Sequence, residues 1–292
     1  GPDKKLMESL AKWYGGEKRY TEALDTWDKI TQRFGKDTQV DLLRFELHWA
    51  LENKETAYQL WRENRAAWEA IAKPNQLAIM AEVTWTHDQV QASLVYYKQL
   101  LQLTGVNKTK ERVLYHSRVA LLHAKLKQYT SALAAFKRGF METASADLML
   151  NGLQSSFDSK DYRGFAELLA LSKEQASLFE GKAQYWLMQA AIASQQQQYA
   201  QAALLYNKAL ALEPNSKAAL AGLKSINTVM ADVEKQAILK QLKAMQDAFD
   251  NKDARRLATL LNASEAKLSE FSSFKQYWLI KSQFSFQQKQ FS

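Results

Sequence analysis

The sequence predicts an all-α repeat protein, and three observations carry that prediction. Residues 148–200 and 240–292 are two copies of one sequence at a constant offset of 92. Gln184-Tyr185-Trp186-Leu187 returns as Gln276-Tyr277-Trp278-Leu279, and Phe157-Asp158-Ser159-Lys160-Asp161 as Phe249-Asp250-Asn251-Lys252-Asp253. Likewise Gln195-Gln196-Gln197-Gln198-Tyr199-Ala200 returns as Gln287-Gln288-Lys289-Gln290-Phe291-Ser292. Ungapped self-similarity of this kind marks a repeat array, nearly one-dimensional in fold and functional through its surfaces. The second observation is that 292 residues contain only 10 Gly and 3 Pro, too few for the tight turns of a sheet protein this long. The third is the dominance of Ala, Leu, Lys, Gln and Glu, all strong helix formers.

The unit is clearest in residues 183–216. Trp186, Ala190 and Ala193 recur at spacings of four and three, one face of an amphipathic helix. Tyr199 closes a short polar turn, and Ala202, Tyr206 and Ala209 mark the face of a second helix. Glu213-Pro214-Asn215-Ser216 stops it, because proline cannot continue a helix while Asn or Ser can cap the next one. Small residues at 190, 202 and 209 let two antiparallel helices approach, and aromatics at 186, 199 and 206 fill the gaps between units.

These positions, with Pro214, resemble the tetratricopeptide repeat, a helix–turn–helix of 34 residues; Gln189 departs from it, where a large apolar residue is usual. The resemblance implies a right-handed superhelical solenoid. In chain order the template fits residues 4–37 through Leu10, Ala11, Tyr14, Tyr20, Ala23 and Trp27. It fits 38–72 through Ala57 and Trp61, and 73–112 through Ala92 and Tyr96. Residues 113–145 follow through Ala120, Tyr129, Ala132, Phe136 and Gly139. Residues 146–182 and 238–274 are divergent copies of each other, with Phe165 and Leu257 at the usual small position. The stretch 217–237 is irregular and reads as an extra helix or an unusually long first helix. Residues 275–292 supply a first helix without a second, so the chain reads as one solenoid cut from a longer array.

Zero cysteines exclude disulfides, thiolate metal sites and cysteine nucleophiles. No apolar run approaches the roughly 18 residues of a membrane span, so no membrane contact is expected of this piece. Gly1-Pro2 has the form of a protease scar. No nucleophile elbow, P-loop or dinucleotide motif occurs. His116 and His123 lie seven apart on one helix, roughly 10 Å along its axis and too far to share a metal; they and His48 and His87 read as surface or half-buried histidines. No enzyme, cofactor or metal is expected.

Two surfaces are candidates for binding. From Lys98 to Phe140 there are nine basic residues (Lys98, Lys108, Lys110, Arg112, Arg118, Lys125, Lys127, Lys137, Arg138) against Glu111 alone, a balance equal to the +8 of the whole chain. Such a segment is either a solvated face or a dock for an acidic partner. Nucleic acid is not expected, since no basic–aromatic stacking platform accompanies it. The second surface follows from the family resemblance, which implies a groove lined by first helices. Its positions are Leu42, Glu46 and Trp49, then Leu77, Ala81 and Trp85, then Leu114, Leu121 and Lys125, then Leu150, Gln154 and Phe157. Further on they are Leu242, Gln246 and Phe249, then Leu279, Gln283 and Phe286.

A non-catalytic scaffold for protein partners is the first functional reading. The divergent units and Gln-rich turns are similar to periplasmic tetratricopeptide arrays of bacterial exopolysaccharide export, of the Pel, cellulose and poly-N-acetylglucosamine types. That resemblance implies a periplasmic location and recruitment of a polysaccharide-modifying enzyme. The alternatives are a module that binds the polysaccharide itself through exposed aromatics, or a cytosolic adaptor. A co-chaperone clamp would place Lys, Arg and Asn where this groove has mostly Leu, Trp, Phe and Gln.

Overall fold

The computed structural model describes residues 3–105 and 108–290. Gly1-Pro2, Val106-Asn107 of the inter-repeat insertion, Phe291-Ser292 and the side chains of the 287–290 run lie outside the described residues. Among those described there is no strand, and no helix is long and apolar enough to cross a membrane. The chain gathers into two compact units, Gly1–Glu180 and Gly181–Ser292.

The first unit is five helix pairs: α1 (Lys4–Gly16) with α2 (Tyr20–Phe34), α3 (Thr38–Ala50) with α4 (Lys54–Trp68), α5 (Pro74–Thr86) with α6 (Val90–Leu103), α7 (Thr109–Lys125) with α8 (Tyr129–Thr143), and α9 (Ala146–Asp158) with α10 (Tyr162–Lys173). A 3-10 turn at Ala176–Leu178 follows. In the second unit α11 (Ala183–Gln195) pairs with α12 (Tyr199–Leu212), and α13 (Lys217–Asp250) with α14 (Ala254–Glu265). The short α15 (Leu268–Phe271) leads to α16 (Lys275–Gln290). The irregular stretch 217–237 is thus part of one 34-residue helix.

One device recurs at the turn inside each pair. Three residues separate the helices, and the middle one has positive φ: Lys18, Glu52, Asp88, Lys127, Lys160, Gln197 and Lys252, all between 58° and 61°. The amide after it bonds back to the carbonyl five residues earlier, as in Arg19 N–H to Tyr14 O and Gln198 N–H to Ala193 O, both 2.9 Å. This is the Schellman closure of a helix, which ordinarily recruits glycine. Here it is built without one, so the scarcity of glycine is compatible with seven tight turns.

Between pairs the chain uses side-chain caps. Asp37 accepts from Gln39 N at 2.9 Å and Val40 N at 3.2 Å, and Ser145 accepts from Leu148 N at 3.2 Å. Pro74 occupies the first turn of α5, where a missing N–H costs nothing.

The core of the first unit runs through Phe45, Trp61, Trp68, Met80, Tyr96 and Tyr97, all fully buried. The phenols inside it are satisfied: Trp61 Nε1–H donates to Tyr96 Oη at 3.1 Å, Tyr96 donates to Glu69 at 2.8 Å, and Tyr97 donates to Glu82 at 2.5 Å. In the second unit Ala190, Ala193, Ala202, Tyr206 and Ala209 are buried together as the small–aromatic spacing predicts, with Trp186 and Tyr199 packed against them. A Cβ added at Gly222 would lie 2.3–2.6 Å from Tyr206 Cζ, Cε1 and Oη, so the end of the Tyr206 side chain packs on bare backbone of α13.

Candidate functional site

In the first unit two pairs of successive first helices pack together, α3 with α5 and α7 with α9. Each of these four therefore spends apolar surface on two neighbours, its own partner and another first helix. The remaining face lines a groove. Between α7 and α9 it opens into a cavity of about 620 Å³ lined by Leu114, Ser117, Arg118, Leu121, Asn151, Gln154, Ser155, Asp158 and Ser159. A smaller cavity, about 300 Å³, lies beside Trp85, Asp88, Gln89, Leu122 and Lys125.

Arg118 joins the two. Its guanidinium carbon sits 3.9 Å from the centroid of the Trp85 ring, a close cation–π stack that holds a planar donor in place. Its Nε is buried without a hydrogen-bond partner among the described residues, and its nearest acid, Glu82, is 3.7 Å away. Burial and the hydrogen bond to Glu82 push the Tyr97 phenol far above its ordinary value, so Tyr97 remains a donor to that carboxylate. Across the cavity Gln154 Nε2–H donates to Asp158 at 2.8 Å and Asn151 Nδ2–H to Ser117 Oγ at 3.4 Å. The lining thus offers donors and acceptors of both charge signs.

The structure brings together Leu114, Leu121 and Gln154 from the sequence-derived groove, with Trp85 and Lys125 alongside. Trp49 and Phe157 are half-buried, Trp49 against the main core. In the second unit Phe249 is half-buried against its own cluster, and Gln246 is partly exposed. Leu42 and Leu77 are corrections: both lie in the core, because the double contact of each first helix consumes the inner part of its apolar stripe. Ala81, Leu150 and Leu242 are buried for the same reason. Glu46 is also spent, accepting from Gln76 Nε2 and, at 3.2 Å, from Asn75 Nδ2. Burial raises its carboxyl above the usual range in spite of those bonds.

The basic segment is largely neutralised by acids that lie outside it in sequence. Arg112 is a correction, buried rather than presented. It donates to Glu142 through Nε at 3.2 Å and Nη2 at 2.5 Å, and through Nη1 to the Leu101 and Thr104 carbonyls at 2.9 and 2.7 Å. It caps the C-terminus of α6, where free carbonyls favour a cation. Glu142 also accepts from His116 at 2.8 Å and Arg138 at 3.1 Å. Burial alone would push its carboxyl up; the three donors outweigh that and hold it at about 2. Lys125 pairs with Asp88, and Lys137 with Glu167 at 3.2 Å. Lys98, Lys108, Lys110 and Lys127 are left exposed.

His116 and His123 are buried, deeper than the surface or half-buried positions the sequence reading gives them. His116 is oriented by Glu142, and His123 Nδ1 meets Gln128 Oε1 at 2.7 Å. No cluster of His, Cys, Asp or Glu able to hold a metal occurs among the described residues. Sequence reasoning missed Ser117, Asn151, Ser155, Asp158 and Ser159. A signal existed, since Asn151, Gln154 and Asp158 fall at i, i+3 and i+7 of one helix and share a face. The groove positions implied by the family resemblance on that helix, Leu150, Gln154 and Phe157, pass over Asn151 and Asp158.

No family model matches the sequence, and no curated protein matches it. Among solved structures, the apo form of RapI aligns with 87% of this chain and 82% of its own, at 12% identity and a TM-score of 0.51. The C-terminal part of a TPR repeat-containing protein from Cytophaga hutchinsonii aligns with 87% of this chain and 92% of its own, at 12% identity and a TM-score of 0.50. At such identity the likeness is one of fold. With successive antiparallel helix pairs, recurrent Schellman turns and small-on-aromatic packing, this chain has the fold of the tetratricopeptide-repeat solenoids.

Proposed function

We propose that this chain is a non-catalytic scaffold that recruits a protein partner through the groove on α5, α7 and α9. The observation that carries the reading is the Trp85–Arg118 stack beside the polar cavity. Tryptophan and arginine dominate binding hot spots. The mixed donors and acceptors of Arg118, Asn151, Gln154 and Asp158 match the alternating N–H and C=O groups of an extended peptide. A sugar ring would need a bare aromatic face, and the Trp85 face is covered by a guanidinium, which favours protein over polysaccharide as the direct ligand.

The setting we propose is a periplasmic array of bacterial exopolysaccharide export, of the Pel type, in which the partner is a polysaccharide-modifying enzyme. Its support is the divergent repeats and Gln-rich turns of the sequence. The test is a photo-crosslinking residue at Gln154, with Gln201 as control, in the cells that make the chain. One discrete protein adduct at position 154 is expected, and no adduct at 201. With that partner purified, Trp85→Ala should weaken binding by more than about 2 kcal/mol with little salt dependence, and Lys108→Glu with Lys110→Glu should do little. The reverse pattern would move the dock to the exposed lysines. Turnover of a glycan or peptide by the pure chain would end the scaffold reading.

A further inference from the structure

The first copy of the duplicated segment has a neighbour that the second lacks. In the first copy α8 packs on both α9 and α10. Leu148 presses on Gly139 of α8 and Phe136 of α8 on Gly152, each too close for an added Cβ. Glu167 of α10 accepts from Lys137 of α8 at 3.2 Å. In the second copy the preceding second helix is α12, and it covers only the first part of α13, where Ala219, Leu223, Ile226 and Met230 join its cluster. Residues 231–237 are then exposed all round. From Ile238 onward α13 packs with α14 and α16 instead. The side that α8 covers on the first copy is therefore open on the second.

The residues on that side have changed in kind. Lys240 and Gln241 stand where the first copy has Leu148 and Met149, Arg256 where it has Gly164, and Thr259 where it has Glu167. All four are exposed. Arg163 in the first copy pairs with Glu167 at 3.2 Å; for its counterpart Arg255, also exposed, Thr259 takes the place of that acid. Lys240, Arg255 and Arg256 make no ion pair among the described residues, and Asp253 is engaged in capping Arg256 N at 3.0 Å. Between these cations Ala244 and Leu260 are half-buried, where Gly152 and Leu168 are buried in the first copy. Charge follows the same contrast. Residues 148–200 hold four Lys and Arg against five Asp and Glu, whereas residues 240–292 hold nine against five.

We propose that this cationic face of α13 and α14 binds an acidic polypeptide segment with apolar residues between its carboxylates. Unpaired guanidinium and ammonium groups complement carboxylates, and the half-buried Ala244 and Leu260 between them suit apolar side chains. A phosphate or sulfate chain has nothing to set against that apolar floor, which favours polypeptide over nucleic acid or an anionic glycan. An apolar helix of the α8 kind is refused, because it would bury the Lys240 ammonium without a partner. The surface is separate from the α5–α7–α9 groove and does not rest on it.

The probe is a labelled synthetic peptide of repeating Glu-Leu-Glu-Ala, with its Gln-Leu-Gln-Ala counterpart, titrated into the full chain and followed by fluorescence anisotropy. The acidic peptide should bind, and more weakly as salt rises, since exposed charges are screened within about 10 Å at 0.1 M. Lys240→Glu with Arg255→Glu, both at exposed positions, should weaken it about tenfold. Lys108→Glu with Lys110→Glu, the same charge change elsewhere, should weaken it less than about twofold. Lys240→Leu with Arg256→Gly, which restores the residues of the first copy, should erase the preference for the acidic peptide over the neutral one. Three results would overturn the proposal: no binding at millimolar peptide, equal loss from the two charge reversals, or tighter binding of polyglucuronate or of phosphatidylglycerol vesicles than of the peptide. The last would assign the face to a different polyanion.

Discussion

The two copies, residues 148–200 and 240–292, share local structure down to single hydrogen bonds yet differ in which faces are covered. Asp161 caps α10 through Gly164 N at 2.9 Å, and Asp253 caps α14 through Arg256 N at 3.0 Å. Lys160 and Lys252 take the same left-handed turn. Gln154–Asp158 and Gln246–Asp250 make the same bond at 2.8 Å. Ser172 and Ser264 are both buried, each donating to the carbonyl three residues back. Inward positions agree too: Phe165 with Leu257, Phe179 with Phe271, Leu150 with Leu242, all buried. The outer side of the last helix diverges, with Ala190 and Ala193 covered and Ser282 and Ser285 open, and so does the start of the first, where Leu148 and Met149 are buried and Lys240 and Gln241 exposed. Caps, turns and inward packing are set within about one unit of sequence. Exposure of the outer face is set by whatever element lies next to it, as nearest-neighbour energetics of repeats require.

The largest effects should break the equivalence of the inward faces if it is false. Phe165→Ala should cost about 3–5 kcal/mol and Leu257→Ala about 2–5 kcal/mol, the range for emptying a packed core site. Urea unfolding of each variant measures it; a neutral Leu257→Ala would show that the second copy is not packed like the first.

Next in size is the contrast of outer faces. Ala190→Leu should destabilise by about 1–3 kcal/mol through overpacking against α12. At the matching open position, Ser282→Leu should stay within about 0.5 kcal/mol. Equal costs at the two sites would mean that the face of α16 is covered in solution. The smallest effect concerns the caps. Asp161→Ala and Asp253→Ala should each lose about 1 kcal/mol. A difference between them larger than that, in the same unfolding experiment, would show that the turn is not independent of its surroundings.

Much of this architecture was legible without coordinates because helix pairing is local. The small–aromatic rhythm at Ala190, Ala202, Tyr206 and Ala209 identifies the buried seam directly, since only small side chains permit close helix approach. The turns were less legible: Lys18, Glu52, Asp88, Lys127, Lys160, Gln197 and Lys252 occupy left-handed positions that glycine usually signals. The groove was legible in part. Of the positions that the family resemblance implies, Trp85, Leu114, Leu121 and Gln154 line or border the cavities, while Leu42 and Leu77 are buried, because a repeat register marks a face without saying how many neighbours share it.

The sequence by itself determined the fold class, the duplication, the helix pairs and the residues that seal them, since these depend on contacts a few tens of residues apart. Only the tertiary structure decided the sites. It buried Arg112 against Glu142 and the end of α6, set Arg118 on Trp85, and paired Lys125 with Asp88 and Lys137 with Glu167. It thereby turned a run of nine cations into a few exposed lysines and one arginine in a groove. Charge summed along the chain counts neighbours in sequence, whereas Coulomb attraction acts between neighbours in space, and in a solenoid those come from the helices on either side.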